Sequence, residues 1–249
     1  MSNDPGVGEI LETGAAVLVF AAVFLVRSRV HLWQRLLKDP RDLVSFGAGI
    51  SSAYVFLHVL PAFDVVRRVY VETTPLQIWF HGRGIYLLAL LGFLGFYSLH
   101  NTSFRLRHAP GGGETARAFR LETAGFAVYL WLMGYLLLHN LQHTPGTILL
   151  FAVAIAFHLL GVDHELHRKH GASYERVGRF VLAGAGVLGW LVGLVLAVPM
   201  ATIAMLVAFV AGAVIMNSAI IELPSGENVR VAPFVSGGSL YGLILLMLH

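Results

Sequence analysis

Three stretches of the chain place side chains where they could do chemistry. His158 stands inside "FAVAIAFHLLG", residues 151–161, and an ionisable group in so apolar a run is a functional candidate in its own right. A charge at that depth costs on the order of 2 to 3 kcal/mol, so neutral imidazole is the expected form. It is either a ligand or proton carrier, or interior packing hydrogen-bonded to Tyr129, Ser51 or Asn217. "HNLQH", residues 139–143, sets His139 and His143 four apart on one helix face, a spacing that holds zinc, whose bound water becomes a nucleophile near neutral pH. The other meaning of this stretch is a water-facing helix end before the turn at Thr144–Gly146. "VDHELHRKH", residues 162–170, gathers Asp163, His164, Glu165, His167 and His170, with His164 and His167 three apart and Asp163 and His167 four apart. Such a cluster could receive a hydrated divalent ion or shuttle protons; it also has the make-up of a solvated, mixed-charge helix end.

The chain has no cysteine, which excludes disulfides, thiolate metal sites and iron–sulfur clusters and leaves a nitrogen/oxygen site. Depth separates the candidates. At about 1.5 Å per residue, His139 lies roughly 9 Å from the turn that follows it and His158 nearly 20 Å from it on the next helix.

The elements that must position these residues are membrane spans. With 57% hydrophobic and 12% charged residues in 249, and a mean hydropathy of +0.73, the chain falls outside the soluble class. Apolar runs at 10–32, 43–63, 84–101, 122–143, 146–167, 178–198, 200–223 and 231–248 predict eight transmembrane helices in one all-α membrane domain over 1–249. The acidic opening "MSNDPGVGEILETG" is unlike a removable leader, so the first apolar run is expected to remain as a span. Residues 102–121, with "PGGG" and several charges, read as a cytoplasmic linker.

Of the seventeen Lys and Arg, fourteen fall on the first, third, fifth and seventh connections, and only Arg67, Arg68 and Arg83 on the other side. The positive-inside rule then puts both termini outside the cytoplasm, in a plasma (bacterial inner) membrane. The net charge of +3 sits in membrane-flanking loops rather than on one soluble face, which excludes nucleic acid as a partner.

"FGAGISSAYVFLHVLP", residues 46–61, is echoed 163 positions later by "FVAGAVIMNSAIIELP", residues 209–224. Phe46/Phe209, Ala48/Ala211, Gly49/Gly212, Leu60/Leu223 and Pro61/Pro224 coincide. The two segments lie on the second and seventh spans, which cross in opposite directions, so the chain divides into a repeat unit 10–101, a central helix pair 122–167 and an inverted repeat unit 178–248. The competing explanation is convergence of two helices rich in small residues, which pack closely in any membrane bundle.

This 3+2+3 layout, together with "GISSAYVFLHVLP", "AFVAGAVIMNSAIIELP" and "GGSLYGLILLML", resembles the ZIP metal-transporter family. The resemblance implies transport of zinc or a similar divalent ion through the fourth and fifth spans, where the family carries HNxPEG and HxxPEG motifs. Here only His158 persists on the fifth span, and Tyr129 and Met133 stand at the fourth-span positions for His and Glu. The expected metal or solute ligands are therefore His158, His139, His143, Asp163, His164 and His167, with His58, Tyr129, Asn217 and Glu222 along the path. Besides transport, two readings stay open: a receptor or regulatory protein that keeps the fold without transporting, and a membrane-embedded zinc-dependent hydrolase. The second is weakened because Asp163 and its histidines fall on the opposite face from His139 and His143. The expected partners are the lipid bilayer, a metal ion or small solute and, in an assembled state, a second copy of the chain; zinc or another divalent metal is the one cofactor considered.

Overall fold

The structure is a computed structural model that describes residues 6–26, 40–73, 82–109, 113–139, 147–222 and 230–248. Among them there is no strand. The helices are α1 (Val7–Val26), α2 (Pro40–Tyr54), α3 (Leu60–Thr73), α4 (Gly84–His108), α5 (Gly113–Leu137), α6 (Thr147–Ser173), α7 (Arg179–Val195), α8 (Met200–Met216) and α9 (Val231–Leu248). Wide π-helical turns join α2 to α3 (Val55–Val59) and α6 to α7 (Tyr174–Gly178), and one more extends α8 (Asn217–Glu222).

Among the described residues, five segments are long and apolar enough to cross a membrane: Val7–Val26, Asp42–Thr73, Gly84–His108, Phe151–Val195 and Met200–Ala219. Val231–Met247 is apolar but shorter. Their outer faces are apolar as well, with Leu11 and Leu18 on α1, Leu87, Leu90 and Leu94 on α4, and Leu240, Leu243 and Leu246 on α9 exposed. A soluble monomer does not expose so much contiguous aliphatic surface, and these are the helices of a multi-pass membrane protein. Helix α5 is the counter-case. Arg117, Arg120 and Glu122 stand in its first turns, yet residues 132–138 are all buried, so its last turns lie enclosed among the other helices.

Contacts fix how the helices run relative to one another. Helix α5 is antiparallel to α6, because Tyr129 meets His158 and Glu122 meets His170. It is parallel to α7, because the glycines at 178, 189 and 193 lie against Phe119, Trp131 and Tyr135 in turn. The stretch 151–195 must therefore fold back, which a straight rod of 45 residues, about 67 Å long, could not do. The break is at Gly171, whose φ of 47° and ψ of −120° are non-helical and belong to the left-handed side that glycine tolerates. Helix α2 is antiparallel to α6, with Phe46 on Phe157 and Tyr54 on Phe151. It is parallel to α9, with Asp42 3.7 Å from Arg230 and Leu57 against Gly242.

Small residues set the closest approaches. A Cβ on Gly49 would overlap the Phe234 carbonyl oxygen of α9, and one on Gly237 would overlap the Phe46 carbonyl of α2. On the other side of the bundle, a Cβ on Gly212 would overlap the Ala89 carbonyl of α4, and one on Gly92 the Phe209 carbonyl of α8. The two sets match: adding 163 to each α2 number gives the α8 number, and adding 145 to each α4 number gives the α9 number. The π turns keep the same register. Val55–Val59 precedes Pro61, and Asn217–Glu222 precedes Pro224. A proline ring collides with the carbonyl four residues back in an α-helix, and a wider turn is one way to relieve that collision without ending the helix.

Two expectations change. The segment 102–121 is helical up to His108 and again from Gly113, so the cytoplasmic connection expected there is confined to the few residues between. The runs at 146–167 and 178–198 are extended by α6 and the π turn into a single stretch broken only by its fold at Gly171, because "HRKHGASYERVGR" keeps making helix through its charges.

Candidate functional site

The deepest polar group of the sequence analysis is the centre of the site. His158 is fully buried on α6. Its Nε2 is 2.8 Å from the Tyr129 hydroxyl of α5, and its Nδ1 is 3.4 Å from Ser51 Oγ of α2. Ser51 Oγ is in turn 2.9 Å from Ser218 Oγ in the π turn after α8. With the imidazole protonated at Nδ1, the Tyr129 hydroxyl donates to Nε2, Nδ1–H donates to Ser51, and the Ser51 hydroxyl donates to Ser218. Four helices are thus joined by one chain of hydrogen bonds. Of the three partners expected for His158, Tyr129 and Ser51 take the role. Asn217, also fully buried, has no hydrogen-bond partner for either side-chain atom among the described residues.

Removing the Tyr129 hydroxyl deletes the 2.8 Å hydrogen bond at Nε2 in a buried setting, a loss of about 0.5 to 1.5 kcal/mol. Tyr129→Phe is expected to lower thermal stability in detergent accordingly. A melting curve indistinguishable from the native one would mean that the Tyr129–His158 bond contributes nothing.

A cavity of about 140 Å³ lies directly beside this cluster. Each of the four helices lines it with a residue one turn from the one it gives to the cluster: Tyr54 beside Ser51, Met133 beside Tyr129, Ile155 beside His158, and Val214 beside Asn217 and Ser218. All four lie toward the α3 end of the bundle, where His58, Val59, Phe63 and Val66 continue the wall. His58 is stacked on Tyr54 with ring centroids 5.1 Å apart. The rest of the lining is aliphatic or aromatic, so the space is an apolar chamber, and the His158 cluster lies one turn behind its wall.

The remaining candidates are not brought to this centre. His139 lies at the far end of α5, stacked on Tyr135 with Nδ1 3.1 Å from the Tyr135 carbonyl oxygen. His143 lies outside the described residues. Asp163 is buried and accepts a 2.6 Å hydrogen bond from the Tyr174 hydroxyl, while His167 Nδ1 is 3.5 Å from Glu175 Oε1 and His164 is half-buried on the same helix. Asp163 and His167 both contact Tyr174. Glu222 ends the third π turn, and its side chain lies outside the described ones. No group of three His, Asp or Glu that could hold a metal ion occurs among the described residues.

One constellation escaped the sequence reading. Glu122 is buried on α5 and receives three donors: Ser103 Oγ at 2.8 Å, Lys169 Nζ at 2.8 Å and His170 Nε2 at 2.8 Å. Lys169 also lies 3.4 Å from Glu165 and 3.4 Å from His100 Nδ1. Its side chain is 4% exposed, although by sequence it counts as a loop charge. The network ties α4, α5 and α6 together at the end of the bundle opposite the cavity.

Comparison with family models, curated proteins and solved structures returns no match for this chain.

Proposed function

We propose that the chain is a membrane transporter of ZIP-like architecture, divergent at its metal site, that moves a small solute along a path between α2, α5, α6 and α8. The observation that carries this reading is the chamber that ends, on all four helices at once, one turn from the His158 cluster. With the orientation given by the positive charges, the chamber belongs to the outer half of the membrane and the Glu122–Lys169–His170 network to the cytoplasmic end. One half of the path is then accessible and the other closed, as alternating access requires.

In this reading the protein has eight crossings: α1, α2 with α3, α4, α5, α6, α7, α8 and α9. The first three and last three form units inverted relative to each other around the pair α5–α6. Support comes from the matched glycine contacts of α2 on α9 and α8 on α4, from the two π turns in the same register, and from the parallel runs of α2 with α9 and α5 with α7. Convergence on small residues accounts for close packing, but it gives no reason for partners and π turns to share one offset.

The chain's lack of cysteine makes the test clean. In native membranes, Ala62→Cys on the chamber wall is expected to react with an impermeant maleimide added from outside. Ser218→Cys, closed off in this state, is expected to react from the cytoplasmic side at a slower rate set by the conformational exchange. Labelling of Ala62→Cys with Ser218→Cys inert from both sides would point to a static receptor and overturn the transport reading.

A further inference from the structure

The chamber's own lining specifies what fits inside it. Its buried depth is made by Met133, Ile155, Val210 and Val214, with the rings of Tyr54, Phe63 and Phe151 beside them. Phe151 stands edge-on to Tyr54 with ring centroids 5.9 Å apart. The half-buried residues His58, Ala62 and Val65 follow one another along a single face of the π turn and α3, which places the mouth of the chamber there. Among the described lining residues the polar ones are Tyr54 and His58, and none is a carboxylate. A divalent ion in this space would meet one imidazole and no compensating charge, too little to replace its hydration shell. A charged organic guest would be stripped of water against aliphatic walls at a similar cost. The chamber therefore selects an uncharged guest.

Volume and shape narrow the class. About 140 Å³ is close to the roughly 150 Å³ that holds benzene. Aromatic walls with the Met133 thioether favour a flat ring over a branched aliphatic body, because ring edges, ring faces and sulfur attract one another beyond the burial of area alone. At the mouth, stacking on Tyr54 at 5.1 Å fixes the plane of the His58 ring. A neutral imidazole has one donor and one acceptor nitrogen, and a hydroxyl complements either of them. The match does not depend on which nitrogen is turned to the space.

We infer that the chamber binds an uncharged, benzene-sized aromatic ring carrying one hydroxyl, a guest of the phenol class, with its ring among Met133, Ile155 and Val214 and its hydroxyl on His58. The inference rests on the transport reading only for the guest's role as cargo; the ligand chemistry is a separate claim.

The probes are phenol and toluene, which matches phenol in size but lacks the hydroxyl. Each is titrated by calorimetry into the full chain in lipid nanodiscs, with the partition into empty nanodiscs subtracted. Both are expected to bind the native protein saturably. His58→Phe keeps a ring on Tyr54 but removes the nitrogens, and it is expected to weaken phenol about tenfold or more while toluene changes by less than about twofold. The retained toluene binding shows that the chamber is still formed in that variant. Ala62→Phe, which sets a ring in the mouth, is expected to bind neither probe. Phenol binding undiminished in His58→Phe, or weakened in step with toluene, would overturn the role of His58. Binding that survives Ala62→Phe would place the guest elsewhere and overturn the site. Saturable Zn²⁺ binding lost in His58→Phe, with no phenol binding, would overturn the ligand class. Binding of neither probe by the native protein would overturn the inference, while the transport reading would still stand or fall on the Ser218→Cys labelling.

Discussion

Gly212→Ala should be among the most damaging single-methyl changes in this protein. The added Cβ would overlap the Ala89 carbonyl oxygen of α4, and that atom belongs to helical backbone that cannot rotate away. Both helices would have to separate along a face where Gly92 already presses on the Phe209 carbonyl, so the two tight contacts are lost together. Overpacking usually costs about 1 to 3 kcal/mol, and rigid backbone on both sides puts this case at the upper end. For a chain of this length that corresponds to a fall in melting temperature of roughly 6 to 12 °C. Gly49→Ala, at the matching position against the Phe234 carbonyl, should fall by a similar amount. Gly95→Ala is the control, since nothing lies within 4 Å of its added methyl, and alanine's better helix propensity should leave it neutral or about 0.5 to 1 kcal/mol more stable. Equal, small effects at 212 and 95 would show that α4 and α8 do not approach as closely as described, and a benign Gly49→Ala beside a damaging Gly212→Ala would count against the inverted relation.

These glycines explain why so much of the architecture is legible in the sequence. In lipid, helix contacts depend on close backbone approach rather than on apolar burial alone, so interface positions are marked by residue size and can be read off as Gly49 and Gly212. The paired prolines Pro61 and Pro224 are visible in the sequence as well, and a wide turn, Val55–Val59 and Asn217–Glu222, comes before each position. His158 is legible because an imidazole in an aliphatic run has so few explanations, and its neighbours Ser51 and Tyr129 follow from depth matching across the spans. The chamber is not legible, since Val59, Ala62 and Ile155 look the same whether they face lipid, a neighbouring helix or an empty space. Lys169 was misjudged because charges at helix ends usually snorkel to water. The depth rule that separates His139 from His158 would have corrected this. Counting from Pro145, Glu122 lies 23 residues back and Lys169 24 residues on, so the two stand at the same level on adjacent antiparallel helices. The partner was obscured by its position at the border of the charged stretch 102–121 that reads as a linker.

Glu122→Gln is the second large effect to expect, and its mechanism is electrostatic rather than steric. In the native protein Lys169 and Glu122 are both almost completely enclosed, with side chains 4% and 1% exposed. Loss of the carboxylate charge leaves the ammonium with, among the described residues, Glu165 alone, 3.4 Å away and itself held by Arg168, to compensate it. Breaking a buried pair from one side typically costs 3 to 5 kcal/mol, and about that loss is expected for Glu122→Gln in thermal or denaturant unfolding. Lys169→Met should be milder, because Glu122 keeps the Ser103 hydroxyl and the His170 ring as donors. The double variant carries no orphaned charge, and replacing a buried ion pair with neutral groups is often close to neutral, so Glu122→Gln with Lys169→Met should recover to within about 1 kcal/mol of native. The coupling read from that double-mutant cycle should exceed 2 kcal/mol in magnitude, well beyond the few tenths expected for independent sites. Additive losses in the double variant would mean that the two side chains do not meet inside the protein, and with that the closed cytoplasmic end of the proposed path would lose its structural basis.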